Sequence, residues 1–296
     1  MMPTREAAPR PDGHRITVLG AGTMGAGITS LALGHGVPVT LVDVDQAALD
    51  GARARIGHHG RVAQLMGALP DGVEPGGLDT TTSLDSAAEA TVVIEAVTED
   101  QDTKAALLTE VGARTRPGTV LITNTSSIPV DDLAGYHPRP GEVVGTHFMN
   151  PPYLIRTVEV VRGPRTSQHT LDALDGLLRT LRRESVVVSD APGFVTSRLL
   201  HPMINDAARV VQEGTASAED VDALMVGCLG HRTGPLRTAD MIGLDNLVDS
   251  LWVLHERTGD ERCRPCDLLL GKVRAGDHGR KSGRGFFTYE RTEQLS

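Results

Sequence analysis

An α/β fold with a doubly wound sheet, followed by a smaller all-helical domain, is predicted by three observations. A short apolar run, Ile16-Thr17-Val18-Leu19, feeds directly into the glycine pattern Gly20-Ala21-Gly22-Thr23-Met24-Gly25. Further strand-like apolar runs recur at 39–42, 91–96, 119–123, 143–147, 157–161 and 185–189, with helix-like segments between several of them. After Asp190-Ala191-Pro192-Gly193 the pattern turns helical, over 194–213, 218–225 and 246–257, with Gly, Pro and Asp clusters as breaks. These signals predict a leader over 1–13, a nucleotide-binding domain over 14–190 and a helical substrate or dimerisation domain over 191–296.

The leader, MMPTREAAPRPDG, is Pro-rich and lacks the apolar centre of a signal peptide, so it is predicted to be mobile. Order begins at 16–19. The glycines that follow each have a mechanical reason: Gly20 permits a tight turn, Gly22 lets the backbone approach a pyrophosphate, and Gly25 lets a helix pack closely on the sheet. Thr23 and Met24 lie between them at the predicted helix N-terminus, where backbone N–H groups bind phosphate. The second strand, Val39-Thr40-Leu41-Val42, ends at Asp43, about 20 residues on, as this fingerprint requires. Asp43 would accept from ribose hydroxyls and repel a 2′-phosphate. A Rossmann-type domain binding NAD rather than NADP is the resulting expectation.

Strands at 91–96 and 119–123 extend the sheet around a helix at 103–113, and the latter strand ends in Asn124-Thr125-Ser126-Ser127. Ligands of open α/β sheets bind at the carboxyl ends of strands, which puts Glu99, Ser126 and His147 on one side. The bland reading of Asn-Thr-Ser-Ser is a capping turn. Next comes a predicted hairpin, Val143–His147 and Thr157–Val161, with Asn150-Pro151-Pro152 in the reversal because proline lacks a donor. Pairing about a centre near Tyr153 sets His147 opposite Glu159, the geometry of a general base and its orienter. A helix at 171–181 and a strand at 185–189 complete the first domain.

Composition narrows the class. A net charge of −9 over 296 residues argues against a nucleic-acid surface or a basic membrane patch. No apolar run is long enough to span a bilayer, and a soluble, cytoplasmic protein is expected. Cys228, Cys263 and Cys266 form no secreted disulfide framework, and Cys263-Arg-Pro-Cys266 lacks the second pair of a zinc site, so no metal is expected.

The joint set GAGTMGAGI (20–28), NTSS (124–127), HFMNP (147–151), VEVV (158–161), DAPGF (190–194) and GRKSGRGF (279–286) resembles the 3-hydroxyacyl-CoA dehydrogenase family over residues 15–289. The resemblance implies a catalytic His147 and Glu159, assisted by Ser126 and Asn150. It implies NAD contacts at Asp43, Glu99, Lys104, Ser126, Asn150 and Lys281, substrate contact by Ser126, and a homodimer. Two positions depart from the family pattern. Ser197 stands where a substrate-holding asparagine is usual, and His59 and Met66 replace a Ser and a Lys that touch CoA. Together with the run 241–250, these departures resemble the branch that oxidises a glyceryl group on an acyl carrier protein for polyketide extender units. Arg53, Arg55 and Arg61 would then face the acidic carrier. The alternatives are a short-chain 3-hydroxybutyryl-CoA dehydrogenase and a non-catalytic, crystallin-like NAD-binding protein. A lysine-dependent hydroxyisobutyrate-type enzyme is disfavoured, because beyond Lys104 only Lys272 and Lys281 occur, both near the C-terminus.

Overall fold

The computed structural model describes residues 13–289, so the predicted leader, Gly13 apart, lies outside the described residues. The chain divides into two compact units, 1–190 and 191–296.

In the first unit, eight strands form one sheet: β1 (Ile16–Leu19), β2 (Val39–Val42), β3 (Leu78–Thr81), β4 (Val92–Glu95), β5 (Val120–Thr123), β6 (Val143–His147), β7 (Thr157–Arg162) and β8 (Glu184–Ser189). Their order is β3-β2-β1-β4-β5-β6-β7-β8. All neighbours pair in parallel except β6 and β7, whose antiparallel register sets His147 against Glu159. The order reverses between β1 and β4, which opens the crevice where α/β folds bind ligands. Every residue of β1, β4 and β5 is buried, as expected of central strands covered on both faces.

Five helices accompany the sheet: α1 (Thr23–Gly34), α2 (Gln46–Leu65), α3 (Gln101–Arg114), α4 (Val130–Ala134) and α5 (Gln168–Thr180). α1 is apolar nearly all round, and Ile28, Leu31 and Ala32 are fully buried against the strands. Ile28 and Leu31 each contribute about 1.5–3 kcal/mol by their burial. Starts are fixed by capping acids: Asp45 accepts from Ala47 N at 2.9 Å and Asp100 from Thr103 N at 2.8 Å, each cap contributing about 1 kcal/mol. β3 is absent from the sequence expectations because Leu78-Asp79-Thr80-Thr81 is a polar, partly exposed edge strand without an apolar run.

The second unit is helical: α6 (Thr196–Gln212), α7 (Ala218–Leu229), α8 (Pro235–Ile242), α9 (Leu244–Thr258) and α10 (Asp267–Arg274). Its core is built from Ile204, Leu236, Leu247, Leu251, Leu254 and Leu269. Two buried aspartates tie it together. Asp222 accepts from Leu236 N and Arg237 N at the start of α8, and Asp240 accepts from Phe286 N, Phe287 N and the Tyr289 hydroxyl. α8 and α10 were not expected. α8 opens on Gly234-Pro235, which reads as a break but places proline at the first helical position, where no N–H is needed. The Cys263-Arg-Pro-Cys266 loop is closed by Asn205, whose amide donates to the Arg262 and Arg264 carbonyls and accepts from Cys266 N. Burial pushes both thiols up, away from the reactive thiolate. Among the described residues no helix is long and apolar enough to cross a membrane.

Candidate active site

The nucleotide loop is fixed by backbone crowding. Gly20 has φ +101, and a Cβ there would lie 2.6 Å from the Ala96 carbonyl oxygen; a Cβ on Gly25 would lie 1.8 Å from that of Gly20. Gly22, in contrast, faces open space. It caps α1 without a side-chain acceptor, so the first N–H groups of the helix point outward. Gly22 and Thr23 are exposed and Met24 is half-buried. Asp43 accepts from Ala21 N at 2.7 Å and from Asp45 N at 3.0 Å, while Arg55 donates to the Ala21 carbonyl at 2.7 Å. The Ala21 peptide is therefore held from both sides. An open glycine, uncapped helix N–H groups and an acid at the end of β2 fit the pyrophosphate and ribose of NAD.

At the ends of β6 and β7, His147 Nδ1 lies 3.0 Å from Glu159 Oε2, and both side chains are largely buried. An ionised carboxylate only accepts, so this contact puts the proton of a neutral imidazole on Nδ1 and leaves Nε2 as the basic nitrogen. Asn124, at the end of β5, accepts from Phe148 N at 3.1 Å and so ties the residue after His147 to the neighbouring strand. Asn150 is exposed in the reversal, ahead of a cis Asn150–Pro151 peptide.

The turn after β5 is organised around Glu99. One oxygen of this carboxylate accepts from the Thr125 hydroxyl (2.5 Å), Ser126 N (2.9 Å), Ser127 N (2.9 Å) and the Ser127 hydroxyl (3.0 Å). Ser126 Oγ lies 3.5 Å from the same atom. Lys104 approaches the other oxygen at 3.3 Å. Burial alone would push the Glu99 carboxyl up; the Lys104 charge, the Thr125 hydroxyl and the two serine N–H groups outweigh it and hold the group below the ordinary glutamate value. Lys104 itself is wholly buried, its ammonium 2.6 Å from Glu95.

Within the first unit the structure thus gathers the glycine loop with Asp43, the Glu99–Ser126 turn with Lys104, and His147 at the carboxyl ends of neighbouring parallel strands, with Glu159 supplied from near the start of the antiparallel β7. Ser197 and Lys281 belong to the second unit. Ser197 is buried in the first turn of α6, and Lys281 pairs with Asp245 at 2.7 Å. The expected arginine patch is altered: Arg53 donates to Thr80 Oγ1 and Arg55 to the Ala21 carbonyl, so two of its three members are engaged within the fold. His59 stacks on Tyr153 with ring centroids 4.7 Å apart and lies 3.3 Å from Ser30 Oγ; Met66 is exposed at the end of α2. Sequence reasoning gave no individual role to Asn124 or Glu95, and it set Arg55 in a carrier-facing patch, whereas the structure has it on the Ala21 carbonyl of the nucleotide loop. Only Glu95 carried a signal, a lone acid closing the otherwise apolar run Val92-Val93-Ile94.

Comparison with known proteins is consistent along the whole described chain. The family model for the 3-hydroxyacyl-CoA dehydrogenase NAD binding domain matches residues 15–191, and that for the C-terminal domain matches 193–289. A probable 3-hydroxybutyryl-CoA dehydrogenase of Deinococcus radiodurans is 40% identical over 277 residues, spanning 93% of this chain and 100% of that one. A 3-hydroxybutyryl-CoA dehydrogenase of Bradyrhizobium diazoefficiens is 36% identical over 280 residues, with 93% and 95% coverage. Among solved structures, (S)-3-hydroxybutyryl-CoA dehydrogenase PaaH1 from Ralstonia eutropha superposes with a TM-score of 0.83 at 34% identity, over 94% of this chain and 99% of that one.

Proposed function

The chain belongs to the 3-hydroxyacyl-CoA dehydrogenase family, an NAD-dependent oxidoreductase family, and we propose that its substrate is a short 3-hydroxyacyl-CoA thioester, 3-hydroxybutyryl-CoA first of all. The observation that carries the reading is the His147–Glu159 contact of 3.0 Å on paired strands, beside the turn that presents Ser126.

In the proposed reaction His147 Nε2 takes the proton of the C3 hydroxyl. Glu159 keeps the ring in the productive tautomer and stabilises the imidazolium that forms. Ser126 and Asn150 are assigned to hold the substrate oxygen, with Ser126 steadied by the turn around Glu99. Asp43, Gly20, Gly22, Gly25 and the α1 N-terminus would hold NAD, with Glu99 as a further member of that site, while Lys104, expected there, is wholly buried and acts on it through Glu99. NAD, when bound, supplies the acceptor for the hydride that leaves C3. Burial of the His147–Glu159 pair limits water, which strengthens the charge interaction that the proton transfer creates.

The expected glyceryl group on an acyl carrier protein has weaker support. The relatives above are named for CoA thioesters, and Arg53 and Arg55 are engaged internally. The test is NADH formation with 3-hydroxybutyryl-CoA and, separately, with glyceryl-loaded carrier protein. Higher kcat/KM for the CoA ester supports this reading, and turnover of the carrier-bound group alone overturns it. A homodimer is part of the proposal. Leu199 on α6, Leu224 and Leu229 on α7 and Met241 on α8 are exposed apolar residues on neighbouring helices of the second unit.

A further inference from the structure

Glu95 closes β4 at the point where the strand order reverses, and it is completely buried. A buried carboxylate is expensive unless paired and hydrogen-bonded. Here three donors meet it: Lys104 Nζ at 2.6 Å and Val97 N at 2.8 Å on one oxygen, and the Thr123 hydroxyl at 2.7 Å on the other. Thr123 is the last residue of β5, directly before the turn that carries Ser126. Lys104 has no exposed surface of its own; its ammonium meets two carboxylates, Glu95 at 2.6 Å and Glu99 at 3.3 Å, and more distantly the Val97 carbonyl at 3.5 Å. The nearer partner sets its position.

We propose that Glu95 is a positioning residue: it anchors Lys104, so that Glu99 stays on the Thr125–Ser127 turn and holds Ser126 in place. This rests on the reading above that Ser126 meets the substrate. The physical reason is a competition. With Glu95 present, Lys104 is held by it and only touches Glu99, whose other oxygen keeps the N–H groups of Ser126 and Ser127. Without the Glu95 charge, the buried ammonium has one carboxylate left. It draws Glu99 inward, and the turn loses its acceptor. Glu95 also has a backbone link to the nucleotide loop, since its neighbour Ala96 presents the carbonyl that would crowd a side chain at position 20.

The experiment compares Glu95→Gln in the wild-type and Glu99→Gln backgrounds, reading kcat with 3-hydroxybutyryl-CoA and amide hydrogen exchange over residues 119–130. Glu95→Gln is expected to lower kcat about tenfold to a hundredfold, as misplacement of a reacting partner does, and to speed exchange at 125–127. In the Glu99→Gln background both effects of the second substitution should vanish. Thr123→Val, which removes one donor and leaves the charge, should show the same dependence on Glu99 more weakly, and it serves if Glu95→Gln does not fold. Equal losses in both backgrounds, or unchanged kcat and exchange, would overturn the proposal. Absence of turnover of any hydroxyacyl thioester by the wild type would instead defeat the substrate reading, while the exchange data would still decide the role of Glu95.

Discussion

In the proposed reaction His147 and Glu159, 3.0 Å apart, divide one task between two residues, a proton acceptor and the charge that orients it. Replacing His147 by Ala should lower kcat by about 10²–10⁴ while NAD binding persists, because only the proton transfer is removed. Glu159→Gln keeps the shape but offers an amide that no longer fixes the tautomer, and kcat should fall by about 10²–10⁴. Steady-state kinetics with parallel titration of NAD binding check both. Glu99 makes a different prediction, about pH. Its carboxyl is held below the ordinary value of 4.5, so folding favours its ionised form. Its contribution to stability is therefore present above that value and lost as pH falls through the lower, folded-state value. Urea midpoints should decline in this acid window, and Glu99→Gln should flatten the decline; an unchanged slope would contradict the assignment.

At the scale of elements, the glycine loop separates packing from binding. Gly25→Ala puts a methyl 1.8 Å from the Gly20 carbonyl oxygen and should destabilise the first unit itself. Gly22→Ala meets open space and should fold normally but crowd the pyrophosphate, raising the Kd for NAD with little change in thermal midpoint. Thermal unfolding and NAD titration of the two variants distinguish these outcomes. The central strands were legible because each is a predominantly apolar, β-branched run, and the hairpin because Asn150-Pro151-Pro152 marks its reversal. β3 was not, since an edge strand needs no apolar run, and α8 was hidden by a glycine and a proline that begin it. The His147–Glu159 pairing could be read from strand register alone. The Glu95–Lys104–Glu99 chain could not, because it depends on α3 packing under β4 and β5, and no local spacing encodes that approach.

For the whole molecule, the two units carry different parts of the account. The first holds the glycine loop, the β5 turn and the hairpin; the second holds its own core and an apolar exterior. Leu199, Leu224 and Leu229 are 70%, 58% and 67% exposed, a pattern that a second copy would cover. Light scattering should give twice the 31.4 kDa chain mass, and Leu224→Glu with Leu229→Glu should shift it to the monomer. The sequence resemblance extended to a carrier-bound glyceryl substrate, which rested on Ser197, on His59 and Met66, on the run 241–250 and on three arginines. In the structure Arg55 reaches the Ala21 carbonyl, Arg53 reaches Thr80, and His59 packs on Tyr153, so these three have internal partners whatever the substrate and carry little weight for the carrier.

The central claim, that this chain oxidises a 3-hydroxyacyl-CoA through the His147–Glu159 pair, is tested most directly by the rate of NADH formation from 3-hydroxybutyryl-CoA in wild type and His147→Ala. The account predicts ready turnover by the wild type and a loss of at least about a hundredfold in the variant. Equal rates in the two proteins would contradict it.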